Sequence, residues 1–264
     1  MKKIDICGLC KNSKTLKKSH IIPKFVFKKI KTDKNSFIIV SSEPNKKIIK
    51  FQKEFREHLL CEECENRINQ TETYVANILY NVKKFYDNRD GIVKVYNVDY
   101  SKFKLFQLSI LWRSSISNVP FFQNCKLSHF HQETLRDMIF TGDPGEEYEY
   151  GCIMYGLLLQ GKMEIKFMMN PGYMILRGHK FIYHTFGGFR WNFIISKNMK
   201  DFPKNLFSIR KNNELVFSLK DMFEFSDISS FLKRSNNWNQ IIIMYFNSTL
   251  ICLISCLFST IQPA

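Results

Sequence analysis

The chain has 264 residues, enough for one large or two modest domains that each bury a core. Its hydrophobic content of 45% and aromatic content of 15% exclude a disordered tail, a linker and a fibre. The formal net charge is +15, and residues 1–60 hold 16 basic against 5 acidic residues, so we expect any polyanionic partner to contact the N-terminal part.

Two Cys-x-x-Cys pairs bracket this basic part, namely Cys7 with Cys10 and Cys61 with Cys64. Structural zinc takes four tetrahedral ligands, often thiolates, and two such pairs can supply them. Both pairs lie among polar and charged residues, which disfavours the alternative of four unrelated reduced cysteines. The first residues contain no apolar run typical of a secretory signal, so we expect reduced thiols in the cytoplasm. The sequence therefore predicts a structural zinc site.

The segments between and after the pairs predict a hairpin followed by a helix. Two apolar stretches, 37–40 and 48–51, flank a turn signal at 43–45 and are typical of paired strands. From Cys61 the apolar residues recur at helical spacing, with acids in the first turn, and the pattern predicts a helix that ends near Tyr86.

A run of lysines, including Lys17, Lys18, Lys24 and Lys28, surrounds His20 in the sequence. Lysine contacts to phosphate position a nucleic-acid backbone without reading its bases, so we expect nonspecific or structure-driven binding. The alternative is a solvated lysine surface. Thirty of the 39 basic residues are lysines in a chain also rich in Asn and Ile, so part of the charge reflects composition.

The remainder predicts a body of helices and strands. Helices are expected at 102–117 and 130–140, and about five short strands at 148–210, where glycines punctuate an antiparallel meander. A further amphipathic helix is expected at 219–234.

The segment 241–261 contains 21 residues without a charge and is as apolar as a transmembrane helix. Lys233 and Arg234 precede it, which fits a C-terminal anchor in the inner membrane with the body in the cytoplasm. Asn247, Ser248 and Thr249 in its middle fit instead a turn between two buried elements of a protein that is not anchored. Both interpretations remain open.

Three motifs together resemble the HNH, or ββα-metal, nuclease superfamily on its treble-clef zinc scaffold. They are Cys-Gly-Leu-Cys at 7–10, Ser-His-Ile-Ile-Pro at 19–23, and Leu-Leu-Cys-Glu-Glu-Cys-Glu at 59–65. Members of the superfamily carry a Cys-x-x-Cys, an acid-His-Ile-x-Pro segment, a hairpin and Leu-Leu-Cys-x-x-Cys-His, in that order. The resemblance covers residues 4 to about 75, and the rest looks like the uncharacterised body of a standalone bacterial protein of this type.

The resemblance implies that His20 is the general base that deprotonates water for attack on a phosphodiester, beside a divalent cation. It also implies a role in defence against phage or other foreign DNA, and members often need a protein partner or trigger. Three positions depart from the family pattern: Ser19 replaces the acid, Arg56 stands where an Asn is common, and Glu65 replaces the last His. Glu65 suits Mg²⁺ or Mn²⁺, or alternatively only complements the positive end of the helix dipole, and Glu72, on the same helical face, is a second candidate ligand.

The predicted fold class is α+β, with an N-terminal zinc-stapled, treble-clef-like ββα module followed by helices packed on an antiparallel sheet. The predicted units are a module at 1–88, a body at 89–240 and the apolar segment at 241–264. The first functional hypothesis is a metal-dependent endonuclease acting on DNA. The alternative is a zinc module that binds nucleic acid or a protein without catalysis, in which His20 only supports the fold.

Overall fold

The fold is given by a computed structural model that describes residues 3–31, 36–40, 49–80, 86–89, 91–159, 161–163, 167–176, 178–196 and 203–234. These residues form a mixed α+β structure with two sheets and five α-helices. The main core includes Cys7 near the N-terminus and Trp191 in the body, and two smaller clusters lie apart from it, one of them with Ile228 near the end of the described residues.

The smaller sheet holds the N-terminal motifs. It consists of β1 (Lys3–Ile6), β2 (Ser13–His20) and β5 (Arg56–Cys61), which pair antiparallel in the order β1-β2-β5. Helix α2 (Glu62–Tyr80) follows β5 directly, as the pattern from Cys61 predicted. In this register His20 lies opposite Arg56, at the end of the sheet away from the cysteines.

The larger sheet has ten strands in the part of the chain that the structure describes. They are β3 (Phe37–Val40), β4 (Ile49–Phe51), β6 (Tyr86–Arg89), β7 (Ile92–Val95), β8 (Cys152–Leu159), β9 (Lys162–Met163), β10 (Phe167–Leu176), β11 (His179–Phe186), β12 (Phe189–Ile194) and β13 (Leu215–Asp221). Their order is β4-β3-β10-β11-β12-β8-β13-β7-β6, with β9 paired to β8. The pairs β3–β10 and β8–β13 are parallel, so the sheet is mixed and not antiparallel as predicted. A parallel pair needs a long connection, and both pairs join strands that are far apart in the chain.

The predicted hairpin is confirmed in its pairing, since β3 and β4 are antiparallel with Phe37 opposite Phe51. It belongs to the large sheet, however, and not to the sheet that carries the cysteines. The first 88 residues therefore contribute strands to both sheets, and the division at residue 88 stays a prediction. A short helix that the sequence analysis did not predict, α1 (Lys24–Ile30), follows the Ile-Ile-Pro segment.

Helix α3 (Tyr100–Ile116) confirms the prediction for 102–117 and is the central helix of the core. It buries Phe103 and Phe106 against Trp191 of the large sheet, with ring centroids 6.5 and 5.9 Å apart. Its buried polar residues, above all Arg113, bring hydrogen-bonding groups to the neighbouring small sheet. Helix α4 (His129–Thr141) confirms the prediction for 130–140 and ends at Gly142, whose φ of 80° suits glycine.

Two boundaries differ from the predictions. The helix expected to reach Tyr86 is described only to Tyr80, and Tyr86 begins strand β6. The helix expected at 219–234 starts only at Ser226 as α5 (Ser226–Arg234), because the preceding Leu215–Asp221 pairs with β7 and β8. The five strands expected within 148–210 are present as β8 to β12.

No helix within the described ranges is both long and apolar enough to cross a membrane. The segment 241–261 lies outside those ranges, so the choice between an anchor and a buried element stays a prediction.

Candidate metal and catalytic site

The first cysteine pair lies in the tight turn between β1 and β2. The Cys7 N–H donates to the Asn12 carbonyl and the Lys11 N–H donates to the Cys7 carbonyl, both at 2.9 Å. Lys11 has a φ of 62°, a left-handed conformation that closes the turn. The Gly8 N–H donates to the Leu59 carbonyl at 2.9 Å and so fixes this turn to β5.

The second pair spans the junction of β5 and α2, and it completes a cluster of four thiols. Cys61 ends β5 and Cys64 lies in the first turn of α2. The four Sγ atoms of Cys7, Cys10, Cys61 and Cys64 all lie within 4.8 Å of one another. Tetrahedral coordination with Zn–S bonds of about 2.3 Å separates the sulfurs by about 3.8 Å. The Cys10 and Cys61 sulfurs are 3.9 Å apart, so this group could hold a metal ion such as zinc.

Backbone N–H groups surround the Cys7 sulfur. The Cys61 N–H donates to it at 3.3 Å. Although burial raises the pKa of this thiol, backbone N–H groups of Cys10, Cys61 and Leu9 outweigh burial and lower it to about 7. Burial raises the pKa of Cys61 and of Cys64, so these two thiols need a bound cation to become thiolates at neutral pH.

The cysteine turn is also attached to the body of the protein. Arg136 on α4 donates to the Leu9 carbonyl at 3.1 Å, and Glu133 on the same helix pairs with Lys11 at 2.8 Å. Loss of the metal would therefore affect the contact with α4 as well as the small sheet.

His20 lies at the end of β2, and its imidazole contacts a carboxylate that the sequence analysis did not identify. Its Nε2 is 2.8 Å from Oε2 of Glu54, which precedes β5, and both side chains are only 12% and 11% exposed. Lys31 donates to the other oxygen of Glu54 at 2.6 Å, and Arg56 also pairs with this carboxylate.

These contacts determine the charge of both partners. Burial raises the pKa of Glu54, but hydrogen bonds from Lys31, Arg56 and His20 lower it to about 2, so the carboxylate is ionised. Burial and the nearby charge of Arg56 lower the pKa of His20 below its ordinary 6.5 despite the opposing effect of Glu54. A neutral imidazole beside an ionised carboxylate carries its proton on Nε2, which donates to Glu54, and keeps a lone pair on Nδ1.

Glu65, in the first turn of α2, has a buried oxygen without a partner. Its Oε2 accepts no hydrogen bond among the described residues. The carboxylate lies near enough to His20 to raise that residue's pKa. A buried carboxylate oxygen is costly to leave unpaired, so this atom fits a role as a ligand of a hard cation.

Glu72 does not share this environment. It is buried and accepts a hydrogen bond from Arg113 Nη2 at 2.6 Å, and Arg113 also donates to the His20 carbonyl at 2.6 Å. A carboxylate engaged by a buried guanidinium is a poor candidate for a cation ligand, and the geometry favours a structural role.

Ser19 stands where the family pattern has an acid. Its side chain is completely buried, and its Oγ has no hydrogen-bond partner in the described ranges. Ser19 lies opposite Glu57 in the register of β2 and β5. Glu57 is bound to the end of α3, where it accepts hydrogen bonds from Ser117 Oγ and the Asn118 N–H.

The four lysines predicted to contact nucleic acid fall in different places. Lys17 is exposed and pairs with Glu62 at 3.2 Å. Lys18 lines a pocket beside Glu54, whereas Lys24 and Lys28 lie exposed on α1.

The spacing of residues in the sequence could not identify Glu54 as a site residue, because its contact with His20 depends on the pairing of β2 with β5.

A comparison of the chain with protein-family models, with curated proteins and with solved structures finds no match.

Proposed function

We propose that the protein is a metal-dependent endonuclease of the HNH type, with a treble-clef zinc module, that hydrolyses phosphodiester bonds of DNA. The observation that carries the proposal is the buried pair of His20 and Glu54, next to the unpartnered oxygen of Glu65. His20 ends β2, Glu54 lies two residues before β5, and Glu65 lies in the first turn of α2, so the three residues belong to the same part of the chain's fold as the four thiols. The resemblance to standalone bacterial proteins of this type, and nothing else, suggests that the nuclease acts in bacterial defence against foreign DNA.

His20 supplies the base. Its neutral imidazole accepts a proton from water at Nδ1 while Nε2–H stays hydrogen-bonded to Glu54, whose negative charge stabilises the imidazolium that forms. The water oxygen forms a bond to phosphorus, the bond from phosphorus to the leaving sugar oxygen breaks, and that oxygen takes a proton from solvent. Glu54 positions and supports the base and remains an ionised carboxylate throughout.

Glu65 is the residue proposed to hold the divalent cation. A bound Mg²⁺ or Mn²⁺ would supply positive charge that stabilises the phosphorane-like transition state. Such cations often use only one or two protein carboxylates and complete their coordination with water and substrate. One unpartnered oxygen on Glu65 is compatible with that coordination.

Cleavage of a supercoiled plasmid tests the proposal. Wild-type protein should nick the plasmid with Mg²⁺ or Mn²⁺, and His20→Ala should lower the rate about 10² to 10⁴-fold. His129→Ala, which removes an exposed histidine at the start of α4, should cleave like the wild type. Zinc content and circular dichroism are recorded for each protein. A folded, zinc-loaded His20→Ala variant that cleaves at the wild-type rate would refute the assignment.

The alternative function is a zinc module that binds nucleic acid or a protein without catalysis. Ser19 favours this alternative, because a serine at this position offers no carboxylate to a cation. The pairing of Glu72 with Arg113 makes a second carboxylate unavailable to a cation. The same assay separates the two functions. A zinc-loaded wild type that binds DNA and never cleaves it, with either cation, would favour the binding module.

A further inference from the structure

A pocket of about 450 Å³ opens beside the His20–Glu54 pair. Eight residues line it: Lys18, Lys31, Gln52, Lys53, Glu54, Arg56, Glu57 and His58. They come from β2, from the residue that follows α1, from the segment before β5 and from the start of β5 itself. Glu54 therefore belongs both to the candidate catalytic pair and to the pocket wall.

The wall of this pocket carries an excess of positive charge. Four lining residues are cations and two are carboxylates, and both carboxylates already have partners within the protein. Glu54 is bound to His20, Lys31 and Arg56, and Glu57 accepts hydrogen bonds from the end of α3. Among the described residues neither Lys18 nor Lys53 has an ion-pair partner, so these ammonium groups are available to an anion.

Arg56 connects the pocket to the candidate base. Its Nε and Nη2 donate to Glu54, which leaves the other N–H groups of the guanidinium for a ligand. Its charge is near enough to His20 to lower that residue's pKa. An anion bound to Arg56 would therefore lie near the imidazole.

We propose that this pocket binds a phosphate group of the nucleic-acid backbone and positions the strand at His20. The inference rests on the proposed function and deepens it, since it names the residues that hold the substrate. Phosphate oxygens in proteins commonly accept hydrogen bonds from lysine ammonium groups and from the paired N–H groups of an arginine guanidinium. Of the four lysines that the sequence pattern suggested, Lys18 lines the pocket, whereas Lys24 and Lys28 on α1 lie outside it.

Two matched double variants test the pocket. Lys18→Gln with Lys53→Gln removes two pocket cations, and Lys24→Gln with Lys28→Gln removes two exposed cations from α1. Both variants lose the same charge, so only the position of the loss differs. Zinc content and circular dichroism establish that each variant is folded.

The measurement is the dissociation constant of a short, labelled DNA duplex at several KCl concentrations, without added Mg²⁺ or Mn²⁺ so that the duplex stays intact. Each neutralised phosphate contributes about 0.9 to the slope of log K against log salt concentration, so the pocket variant, which loses its hold on one phosphate, should lose about 0.9 from the slope. The α1 variant should keep the wild-type slope. An RNA duplex of the same sequence is measured in parallel, and the same loss with either polymer supports the pocket.

Three results would overturn the proposal. They are an unchanged slope in the pocket variant, an equal loss in the α1 variant, and no binding by the zinc-loaded wild type. These outcomes are independent of cleavage. A plasmid cut in a His20-dependent manner by a protein whose pocket variant binds normally refutes only the pocket, whereas binding through the pocket without any cleavage refutes only the hydrolysis.

Discussion

Replacing Arg113 by methionine should destabilise the protein by about 3–5 kcal/mol, because Glu72 would remain buried without a counter-charge. The Arg113 and Glu72 side chains are only 2% and 10% exposed, and their charged atoms are 2.6 Å apart. Arg113 Nη1 also donates to the His20 carbonyl, which would lose its donor. The expected loss is a large share of the about 5–15 kcal/mol by which a typical domain is stable.

A double-mutant cycle isolates the ion pair. Arg113→Met combined with Glu72→Leu removes both buried charges, so the double variant should be more stable than the sum of the single losses predicts, by at least about 2 kcal/mol. Lys220→Met serves as the control, since Lys220 forms an exposed pair with Glu224 and its loss should change the stability far less than the loss of Arg113. Urea unfolding of the zinc-loaded proteins, followed by circular dichroism, measures each free energy.

Two results would refute this reasoning. One is an Arg113→Met variant within about 1 kcal/mol of the wild type, and the other is a double variant whose loss equals the sum of the single losses. Glu72→Gln gives an independent check on the role of the carboxylate. If it abolished Mn²⁺ binding and left the unfolding free energy unchanged, Glu72 would be a cation ligand and not a structural partner of Arg113.

Three further predictions concern the small sheet. The wild type should bind one zinc ion, and Cys10→Ser should lose the ion together with part of its helical circular dichroism signal. Cys152→Ser, which lies outside the cluster, should retain the ion. A zinc-loaded Cys10→Ser variant would contradict the four-thiol site. Glu54→Gln should cost about 2–3 kcal/mol in urea unfolding at pH 7, against less than about 1 kcal/mol for the exposed Glu62→Gln. Because folding lowers the pKa of Glu54 from 4.5 to about 2, the stability that Glu54 contributes should be fully present above pH 4.5 and be lost as the pH falls towards 2. Equal losses of stability in Glu54→Gln and Glu62→Gln would refute this prediction. The His20 imidazole should titrate below pH 6.5 by NMR, and lower still in Glu54→Gln because the Glu54 charge raises its pKa; a shift to higher pH would contradict the pairing.

The sequence identified the features that depend on local spacing. The Cys-x-x-Cys pairs predicted a thiol cluster, because each pair already places two sulfurs close together and a single contact between the pairs completes the group. The four sulfurs lie within 4.8 Å of one another. The helical pattern likewise predicted α3 and α4 to within a few residues, since both are long and periodic.

Features that depend on tertiary pairing could not be predicted. Glu54 meets His20 only because β2 and β5 are neighbours, and nothing in the spacing of these two residues indicates it. Glu72 looked like a cation ligand on its helical face until Arg113, distant in sequence, was found to occupy it. The first residues of the helix predicted at 219–234 belong instead to strand Leu215–Asp221, because two neighbouring strands pair with it.

The two cysteine pairs are separated by an excursion of the chain. After His20 the chain leaves the small sheet, forms α1, adds β3 and β4 to the large sheet, and returns at Arg56, opposite the residue where it left. A metal ion bound to both pairs thus closes a chain loop of about 50 residues, which restricts the unfolded ensemble by about 4 kcal/mol on the scale of a disulfide crosslink. Because β3, inside this loop, pairs with β10 of the large sheet, a fragment limited to the cysteine module would keep the metal ligands but lack the strand that holds the loop against the body.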